Sequence, residues 1–293
     1  TGAPKIRAMQ RIAELEASVR GLYTGSLGWL APNGDARFNV AIRTVEVVAD
    51  GQARLGVGSG IVIDADAARE YAECLLKASF LSAFDPGFEL VETLRLEEGV
   101  YPLLALHLER LQASARSLGF TCRLVEVSTA LAAAAAARPQ ALFRVRLSLA
   151  HDGSCRVMVA ALHADIEKRW RVCLATEALP ADDYLLRHKT TARARYDRTL
   201  AALAERPGLF DAIFLNTRGE VCEGARSNVF VEREGVLLTP PLACGLLPGV
   251  MRRTLLESGR AVEQVLRRED LLQARALYVG NALRGLLPVL LDV

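Results

Sequence analysis

The sequence predicts an α+β protein built from two units, of which the second is the larger. Strand patterns and helical patterns follow one another along the chain without an internal repeat. A breaker with the sequence Phe-Asp-Pro-Gly at residues 84–87 separates the two units. The chain has 293 residues, 51% of them hydrophobic, which is enough for two modest cores.

Composition excludes several classes of partner. The formal net charge is +2, so we expect neither a nucleic-acid partner nor binding to an anionic membrane. No apolar run is long enough to span a bilayer, and the N-terminus lacks a signal-peptide pattern. The six cysteines show no CxxC or metal-type spacing, so we expect free thiols and a cytoplasmic protein.

The first unit is predicted to fold as helix, hairpin, strand and helix. Its patterns, in chain order, are a helix after Pro4, a β-branched strand at 41–48, a turn at Asp50–Gly51, a glycine-rich strand at 54–63 and a helix from 67 to about 82. Glu70, Glu73 and Lys77 share one face of the last helix. Because the chain starts without methionine, directly ahead of a helix, we expect it to be a fragment.

The second unit contains more elements. We predict strands at 88–97, 143–150, 156–162, 169–175, 212–216, 229–232, 236–239 and 276–279, and helices at 103–118, 128–137, 191–205, 249–259 and 268–273. The helix at 128–137 is predicted from its alanine content, with Ser128 as N-cap.

Three segments of this unit carry candidate chemistry. Lys189 stands between His188 and two threonines, which alone is weak evidence for catalysis. Glu223 is flanked by small residues and leads into an apolar strand, where a partly buried carboxylate needs a cationic partner. The turn at 245–249 opens a helix, and free backbone N–H groups at a helix start can bind an anion.

Together these segments form a recognisable pattern. The chain resembles the class IV aminotransferase family, the fold type IV pyridoxal-phosphate enzymes, over about 200 residues. The motifs that carry the resemblance are Glu-Thr-Leu-Arg at 92–95, His-Leu-Glu-Arg-Leu at 107–111, His-Lys-Thr-Thr at 188–191, the segment 216–230, Thr-Pro-Pro at 239–241 and Gly-Leu-Leu-Pro-Gly at 245–249.

The resemblance implies roles for individual residues. Lys189 would hold pyridoxal 5'-phosphate as a Schiff base and act as the catalytic base, and Glu223 would face the pyridine nitrogen. Arg110 would bind the phosphate, and Asn281 would lie in the loop that closes the phosphate and substrate side. Backbone amides of a helix start would also bind the phosphate, namely Gly249, Val250 and Met251. For Tyr196 and Arg284, a packing role and a site role both stay open.

The first unit resembles a different family. Residues 1–84 look like the C-terminal part of a chorismate-binding enzyme such as component I of anthranilate synthase or aminodeoxychorismate synthase. In that family a glutamate pair binds Mg²⁺, which here corresponds to Glu70 and Glu73. The residues that would hold chorismate are Tyr23, Arg43, Gly58, Gly60 and Lys77. Since the larger upstream part of that fold is missing from this sequence, we expect a vestigial, inert site.

The two resemblances together select a reaction. A chorismate-binding remnant at 1–84 joined to a class IV domain at 85–293 resembles a fused aminodeoxychorismate synthase–lyase, which makes 4-aminobenzoate and pyruvate for folate synthesis. A transaminase of branched-chain or D-amino acids and a non-catalytic scaffold are the alternatives. We expect subdomains at about 87–180 and 190–293, a small-molecule substrate, a homodimer, and a glutamine amidotransferase partner for the full-length protein.

Overall fold

The computed structural model describes residues 2–47, 52–82, 85–162 and 170–292. The chain divides into two compact units, at 1–85 and 86–293, and each is described by itself. The turn predicted at Asp50–Gly51 and the first residue of the predicted breaker, Phe84, lie outside the described residues. No helix in the described part of the chain combines the length and the apolar character that crossing a membrane requires.

The first unit consists of two helices and two small hairpins. Its elements are α1 (Lys5–Leu15), β1 (Ser26–Leu30), β2 (Ala36–Val40), β3 (Val45–Val47), β4 (Ala53–Leu55) and α2 (Ala67–Ser82). Strands β1 and β2 form one antiparallel pair and β3 and β4 another. Within the residues described for this unit, Ala41 is the one buried hydrophobic residue, and Trp29, Phe38 and other large apolar side chains are exposed.

The smaller part of the second unit is a three-stranded antiparallel sheet with two helices. It contains β5 (Leu90–Glu97), α3 (Leu104–Leu118), α4 (Leu124–Ala136), β6 (Leu142–Leu149) and β7 (Cys155–Ala161). Alternate residues of β6, such as Val145 and Leu147, are buried against the helices, whereas Arg144 and Arg146 are exposed on the other face. One hydrophobic cluster joins the sheet to α3 and α4.

The larger part is a mixed eight-stranded sheet that curls into a barrel-like ring. Its elements are β8 (Trp170–Leu174), α5 (Ala194–Ala204), β9 (Leu209–Leu215), β10 (Val221–Gly224), β11 (Asn228–Arg233), β12 (Val236–Thr239), α6 (Val250–Glu257), β13 (Ala261–Glu263), α7 (Arg268–Leu272), β14 (Ala276–Asn281) and β15 (Gly285–Asp292). The strand order is β10-β9-β8-β15-β14-β11-β12-β13. An additional pairing between β10 and β11 closes the first six strands of this order into a ring. The predicted α+β class is confirmed.

The sheets are divided differently from the predicted subdomain limits. The subdomain limit predicted near residue 180 places the strand predicted at 169–175 in the smaller subdomain. In the structure β8 runs parallel to both β9 and β15 in the large sheet. Its central residue Val172 is fully buried in the large core, and this burial explains the placement.

Candidate active site

A cavity of about 820 Å³ lies within the second unit, lined by residues from both of its subdomains. Strands β5 and β6 contribute one wall, and β10, β11 and the turn after β14 contribute others. The cavity brings together the three predicted segments around Lys189, Glu223 and Gly249, which are far apart in sequence. It is therefore the candidate active site.

Lys189 is held by backbone pairing with the start of β5. The N–H of Val91 donates to the Lys189 carbonyl, and the N–H of Thr191 donates to the Glu89 carbonyl, each at 2.9 Å. Lys189 and its neighbour Thr190 both line the cavity, and Thr190 is buried. Among the described residues, none forms a hydrogen bond or ion pair with Lys189 Nζ, which leaves this amine available for chemistry.

Burial lowers the pKa of Lys189 to about 8, and the nearby positive charge of Arg110 acts in the same direction. We therefore expect the unloaded protein to react with pyridoxal phosphate through its neutral amine, with a rate that rises about tenfold per pH unit below pH 8 and levels off above it. Stopped-flow absorbance across pH 6–10 measures this. A rise that continues to pH 10 would contradict the lowered pKa.

Glu223 lies near the end of β10 with its carboxylate buried and doubly hydrogen-bonded. The Tyr196 hydroxyl donates to Oε1 at 2.7 Å, and the Leu247 N–H donates to Oε2 at 3.1 Å. Burial raises the pKa of Glu223 to about 7 despite these donors, because it disfavours the charged form. A bound cation, such as a protonated pyridine ring, would offset that cost. Glu223 is thus suited to hold a ring nitrogen in its protonated state.

Tyr196, for which the sequence is compatible with both a packing role and a site role, contacts the site through Glu223. Its ring packs edge-on against Phe214, with 5.1 Å between the ring centroids. Burial raises the pKa of Tyr196, and the neighbouring Glu223 adds to the shift, so the hydroxyl stays protonated and acts as a donor. Tyr196 therefore fixes the orientation of the Glu223 carboxylate.

The start of α6 also lines the cavity. Gly249 is its N-cap, and the Gly249 N–H donates to the Leu247 carbonyl at 2.8 Å. A side chain at Gly249 would place its Cβ 1.9 Å from Asn228 Oδ1, so only glycine fits. The amides of Val250 and Met251 are the first N–H groups of the helix and have no carbonyl partner within it. Gly249 and Val250 line the cavity, whereas the Met251 side chain packs into a neighbouring cluster.

Arg110 reaches the turn before α6 from α3 and lines the cavity. It forms a two-pronged ion pair with the buried Glu92, from Nε to Oε1 at 2.8 Å and from Nη2 to Oε2 at 2.5 Å. Arg110 Nη1 also donates to the Pro248 carbonyl at 3.2 Å, next to the α6 N-cap. A guanidinium beside free helix amides suits a phosphate dianion.

Asn281 ends β14, and its side chain organises the turn that follows. Its Oδ1 accepts from the N–H groups of Leu283 and Arg284 at 3.1 and 2.9 Å, and its Nδ2 donates to the Arg226 carbonyl at 3.2 Å. The turn lines the cavity. These contacts hold the turn in place, which is compatible with the closing role predicted for it.

In the first unit, the structure brings four of the predicted chorismate-site residues together. Lys77 Nζ pairs with Glu73 at 2.7 Å and donates to the Gly58 carbonyl at 3.0 Å. A Cβ at Gly58 would lie 2.7 Å from the Tyr23 hydroxyl. In the described part of the chain, no side-chain hydrogen bond or ion pair joins Arg43 or Glu70 to this group, and a Cβ at Gly60 would meet nothing within 4 Å. Nor do the described residues contain a cluster of three His, Cys, Asp or Glu side chains that could hold a metal ion.

Comparison with known proteins assigns both units. Residues 89–291 match the family model for class IV amino-transferases, which is more than half of the chain. The chain belongs to the class IV aminotransferase family. Residues 1–83 match the family model for chorismate binding enzymes. Both resemblances predicted from the motifs are confirmed.

Three relatives illustrate the two matches. Aminodeoxychorismate synthase component 1 of Bacillus subtilis (strain 168) is 51% identical over 78 residues, which are 27% of this chain and 16% of that protein. A putative amino-acid aminotransferase from Mesorhizobium loti is 39% identical, covers 70% of this chain and all of its own, and has a TM-score of 0.66. The 4-amino-4-deoxychorismate lyase of Pseudomonas aeruginosa, at 23% identity over 72% of this chain and 84% of its own, has a TM-score of 0.59 and shows the fold alone.

The class IV unit has the residues that its cofactor, pyridoxal phosphate, requires. A lysine without a partner in the described structure and a buried carboxylate face one cavity, and each shifts the pKa of the other by charge. Arg110 and the start of α6 supply an anion site in the same cavity. Lys189, Glu223, Arg110 and the amides of Val250 and Met251 are thus the residues that would hold the cofactor.

Two buried acids of this class IV site were not predicted. Glu92 stands in a quoted motif but received no role, and it proves to be the partner of Arg110. Asp211 lies within an apolar strand, where it accepts a hydrogen bond from the Ser227 hydroxyl at 2.5 Å. Its carboxylate packs against Gly224 and occupies the space that a side chain at that position would need. For Asp211 the available signal was a lone acid inside an apolar run, whereas the strand of Glu92 carries several charged residues and gave no such signal.

Proposed function

We propose that the class IV unit converts 4-amino-4-deoxychorismate to 4-aminobenzoate and pyruvate, as part of a longer synthase–lyase. The observation that carries this proposal is that one chain combines the two matches. Residues 1–83 are similar to an enzyme that is named for making aminodeoxychorismate, and the adjoining unit belongs to a family with a lyase among its fold-level neighbours. Joining a producer of this compound to its consumer is the simplest explanation of the fusion.

The charge of the cavity wall supports a dicarboxylate substrate such as aminodeoxychorismate. Of the residues that the structure describes, six arginines line the cavity, against two carboxylates, Asp197 and Glu223. Arg144 and Arg146 lie on β6 with one residue between them, so both side chains leave the same face of the sheet. Neither pairs with an acid in the described parts of the chain. Two adjacent guanidinium groups repel each other, and a bound carboxylate would relieve that repulsion.

The residues of the cavity can carry out the elimination. When bound, pyridoxal phosphate withdraws electrons from the amine-bearing carbon of its substrate. Lys189 Nζ would remove the proton from that carbon, and its lowered pKa leaves it sufficiently unprotonated near neutral pH to do so. Breaking the neighbouring C–O bond releases the enolpyruvyl group and makes the ring aromatic. Lys189 would then return the proton to the methylene carbon of the leaving fragment, which departs as pyruvate.

Transamination is the alternative, and one observation favours it. The Mesorhizobium protein, which is described as a putative aminotransferase, shares 39% identity over the whole of its length with this unit. Lys189 and Glu223 would serve that reaction equally well, because moving a proton next to the amine is common to both. The cationic wall would then bind the carboxylates of an amino acid and of a 2-oxo acid.

An assay of substrate preference separates the two reactions. The protein loaded with cofactor is incubated with aminodeoxychorismate, and in parallel with branched-chain or D-amino acids plus 2-oxoglutarate. We expect 4-aminobenzoate to form without any 2-oxo acid, and little glutamate to form from the amino acids. Efficient glutamate formation together with no 4-aminobenzoate would show that the unit is a transaminase and would contradict the proposed lyase activity.

The proposed carboxylate contact predicts a defect that appears in KM. Arg146→Gln is expected to raise KM for aminodeoxychorismate about tenfold, since a charge-assisted hydrogen bond contributes about 1.5–3 kcal/mol. The affinity for pyridoxal phosphate is expected to stay unchanged, because Arg146 lies on the β6 wall rather than at the α6 turn. Steady-state kinetics and cofactor titration measure the two effects.

Arg123→Gln is the matched control for this variant. Arg123 is an exposed arginine of the same subdomain, paired with Glu126 and outside the cavity. Its replacement should leave KM within twofold of the unaltered protein. Equal KM values for the Arg146 and Arg123 variants would show that Arg146 does not contact the substrate.

A further inference from the structure

Glu92, His107 and Arg110 form a buried ionic triad that contacts the turn before α6. Glu92, on β5, is 2% exposed, and its carboxylate receives the two bonds from Arg110 described above. His107, one helical turn before Arg110 on α3, is 3% exposed, and its Nδ1 lies 2.6 Å from Glu92 Oε2. Burying such charges costs free energy that their mutual attraction only partly returns. An ion pair in this position therefore suggests a purpose beyond stability.

The protonation states in the triad follow from its contacts. Burial alone would raise the pKa of Glu92, but Arg110 and His107 hold it at about 2, so the carboxylate is ionised. An ionised carboxylate only accepts hydrogen bonds, so the protonated nitrogen of His107 is Nδ1, and this N–H donates a hydrogen bond to Glu92. Glu92 thus accepts three hydrogen bonds and keeps the Arg110 guanidinium in one plane and one position.

Arg110 joins the two subdomains at this point. The triad belongs to the smaller subdomain, whereas the Pro248 carbonyl that accepts from Arg110 Nη1 belongs to the larger one, one residue before the α6 N-cap. A guanidinium has five N–H donors, and three of them are engaged by Glu92 and Pro248. The other two make no hydrogen bond to a described residue, and Arg110, Gly249 and Val250 all line the cavity.

We propose that Glu92 is a positioning residue that holds Arg110 against the α6 turn and thereby sets the affinity of the site for the phosphate of its cofactor. The inference rests on the phosphate position assumed in the proposed function. An arginine on a flexible side chain would lose rotamer freedom on binding phosphate, and Glu92 removes that cost in advance. The simpler alternative is an ion pair that only stabilises the core.

Comparing two forms of the cofactor distinguishes these roles. Pyridoxal lacks the phosphate but has the same ring and aldehyde, so it can still react with Lys189. Both ligands are titrated into the unloaded protein and into Glu92→Gln, following the absorbance of the bound chromophore. We expect the preference for pyridoxal phosphate over pyridoxal to fall about tenfold or more in Glu92→Gln, with pyridoxal affinity unchanged.

Glu109→Gln is the matched control. It removes an exposed ion pair with Arg253, 2.6 Å long, which also joins α3 to α6 but does not touch Arg110. The preference ratio should not change in this variant. An unchanged ratio in Glu92→Gln, whether both ligands bind normally or both bind equally worse, would overturn the positioning role.

A double variant keeps the test decisive if Glu92→Gln folds poorly with Arg110 left unpaired. In Glu92→Gln/Arg110→Gln both charges are gone, and the preference ratio should equal that of Arg110→Gln alone, because Glu92 acts through Arg110. A further loss in the double variant would contradict the proposal. If the unaltered protein formed no Lys189-dependent chromophore, the proposed function itself would fail, which is a separate outcome.

Discussion

Replacing Lys189 with alanine is expected to abolish release of 4-aminobenzoate, with a loss in kcat of at least about 10³-fold. General-base catalysis contributes about 10²–10⁴-fold, and covalent attachment of the cofactor would be lost as well. The visible absorbance of the attached cofactor should disappear in the same variant. In the unaltered protein, borohydride reduction followed by peptide mapping should place the pyridoxyl group on Lys189.

Lys5→Ala is a suitable control for this experiment, since it removes an exposed lysine of the first unit to which no site role is assigned. It should retain the chromophore and full turnover. Product release by Lys189→Ala at the normal rate would show that another group moves the proton, and the proposed mechanism would be wrong.

Replacing Glu223 with glutamine is expected to lower kcat by about 10²-fold, while the cofactor still attaches to Lys189. A neutral amide cannot hold the ring nitrogen protonated, and the loss of one preorganised electrostatic contact typically costs about 10²–10³-fold. Steady-state kinetics measures the rate, and the absorbance of the loaded protein reports on attachment. The shape of the site should change little, because the amide is close in size to the carboxylate.

Tyr196→Phe serves as the comparison for Glu223→Gln. It removes the 2.7 Å hydrogen bond to Glu223 but leaves the carboxylate charge in place. We expect a smaller decrease, of about tenfold or less. A Glu223→Gln variant with an unchanged kcat would exclude this carboxylate from the role proposed for it.

Local signals predicted the site turns well. The helix predicted at 103–118 is found at Leu104–Leu118 and ends, as expected, at Gly119, whose left-handed backbone favours glycine. The Gly-x-x-Pro-Gly turn opens α6, because turn geometry and the steric need for Gly249 are encoded within a few residues. The order of the motifs predicted that Lys189, Glu223 and Arg110 share one site, and in the structure all three line one cavity.

Elements that depend on distant partners were predicted less well. The strand at 170–174 pairs with β15, about 120 residues later, and no local pattern reports that pairing. The helix predicted to start at Ser128 starts at Leu124, because Val127 and Leu131 pack into the core and extend the apolar face. The partnership of Glu92 with Arg110 likewise joins a strand to a helix, which periodicity alone does not show.

The first unit departs most from its predicted strands. The strand predicted at 54–63 is limited to Ala53–Leu55, and two of the glycines that follow it, Gly56 and Gly58, lie against Tyr23 instead. The β-branched run at 41–48 forms a strand only at Val45–Val47 in the residues described, after a left-handed backbone at Arg43. Both segments were predicted from composition, which cannot distinguish a strand from a glycine-rich loop that packs on an aromatic ring.

The most direct test of the lyase proposal is the stoichiometry of products from aminodeoxychorismate. Pyruvate and 4-aminobenzoate are quantified over a full time course, with purified cofactor-loaded protein and no 2-oxo acid. The elimination predicts equal amounts of the two products over many turnovers. Turnover that requires a 2-oxo acid, or 4-aminobenzoate absent while amino groups are transferred, would contradict the lyase and establish a transaminase.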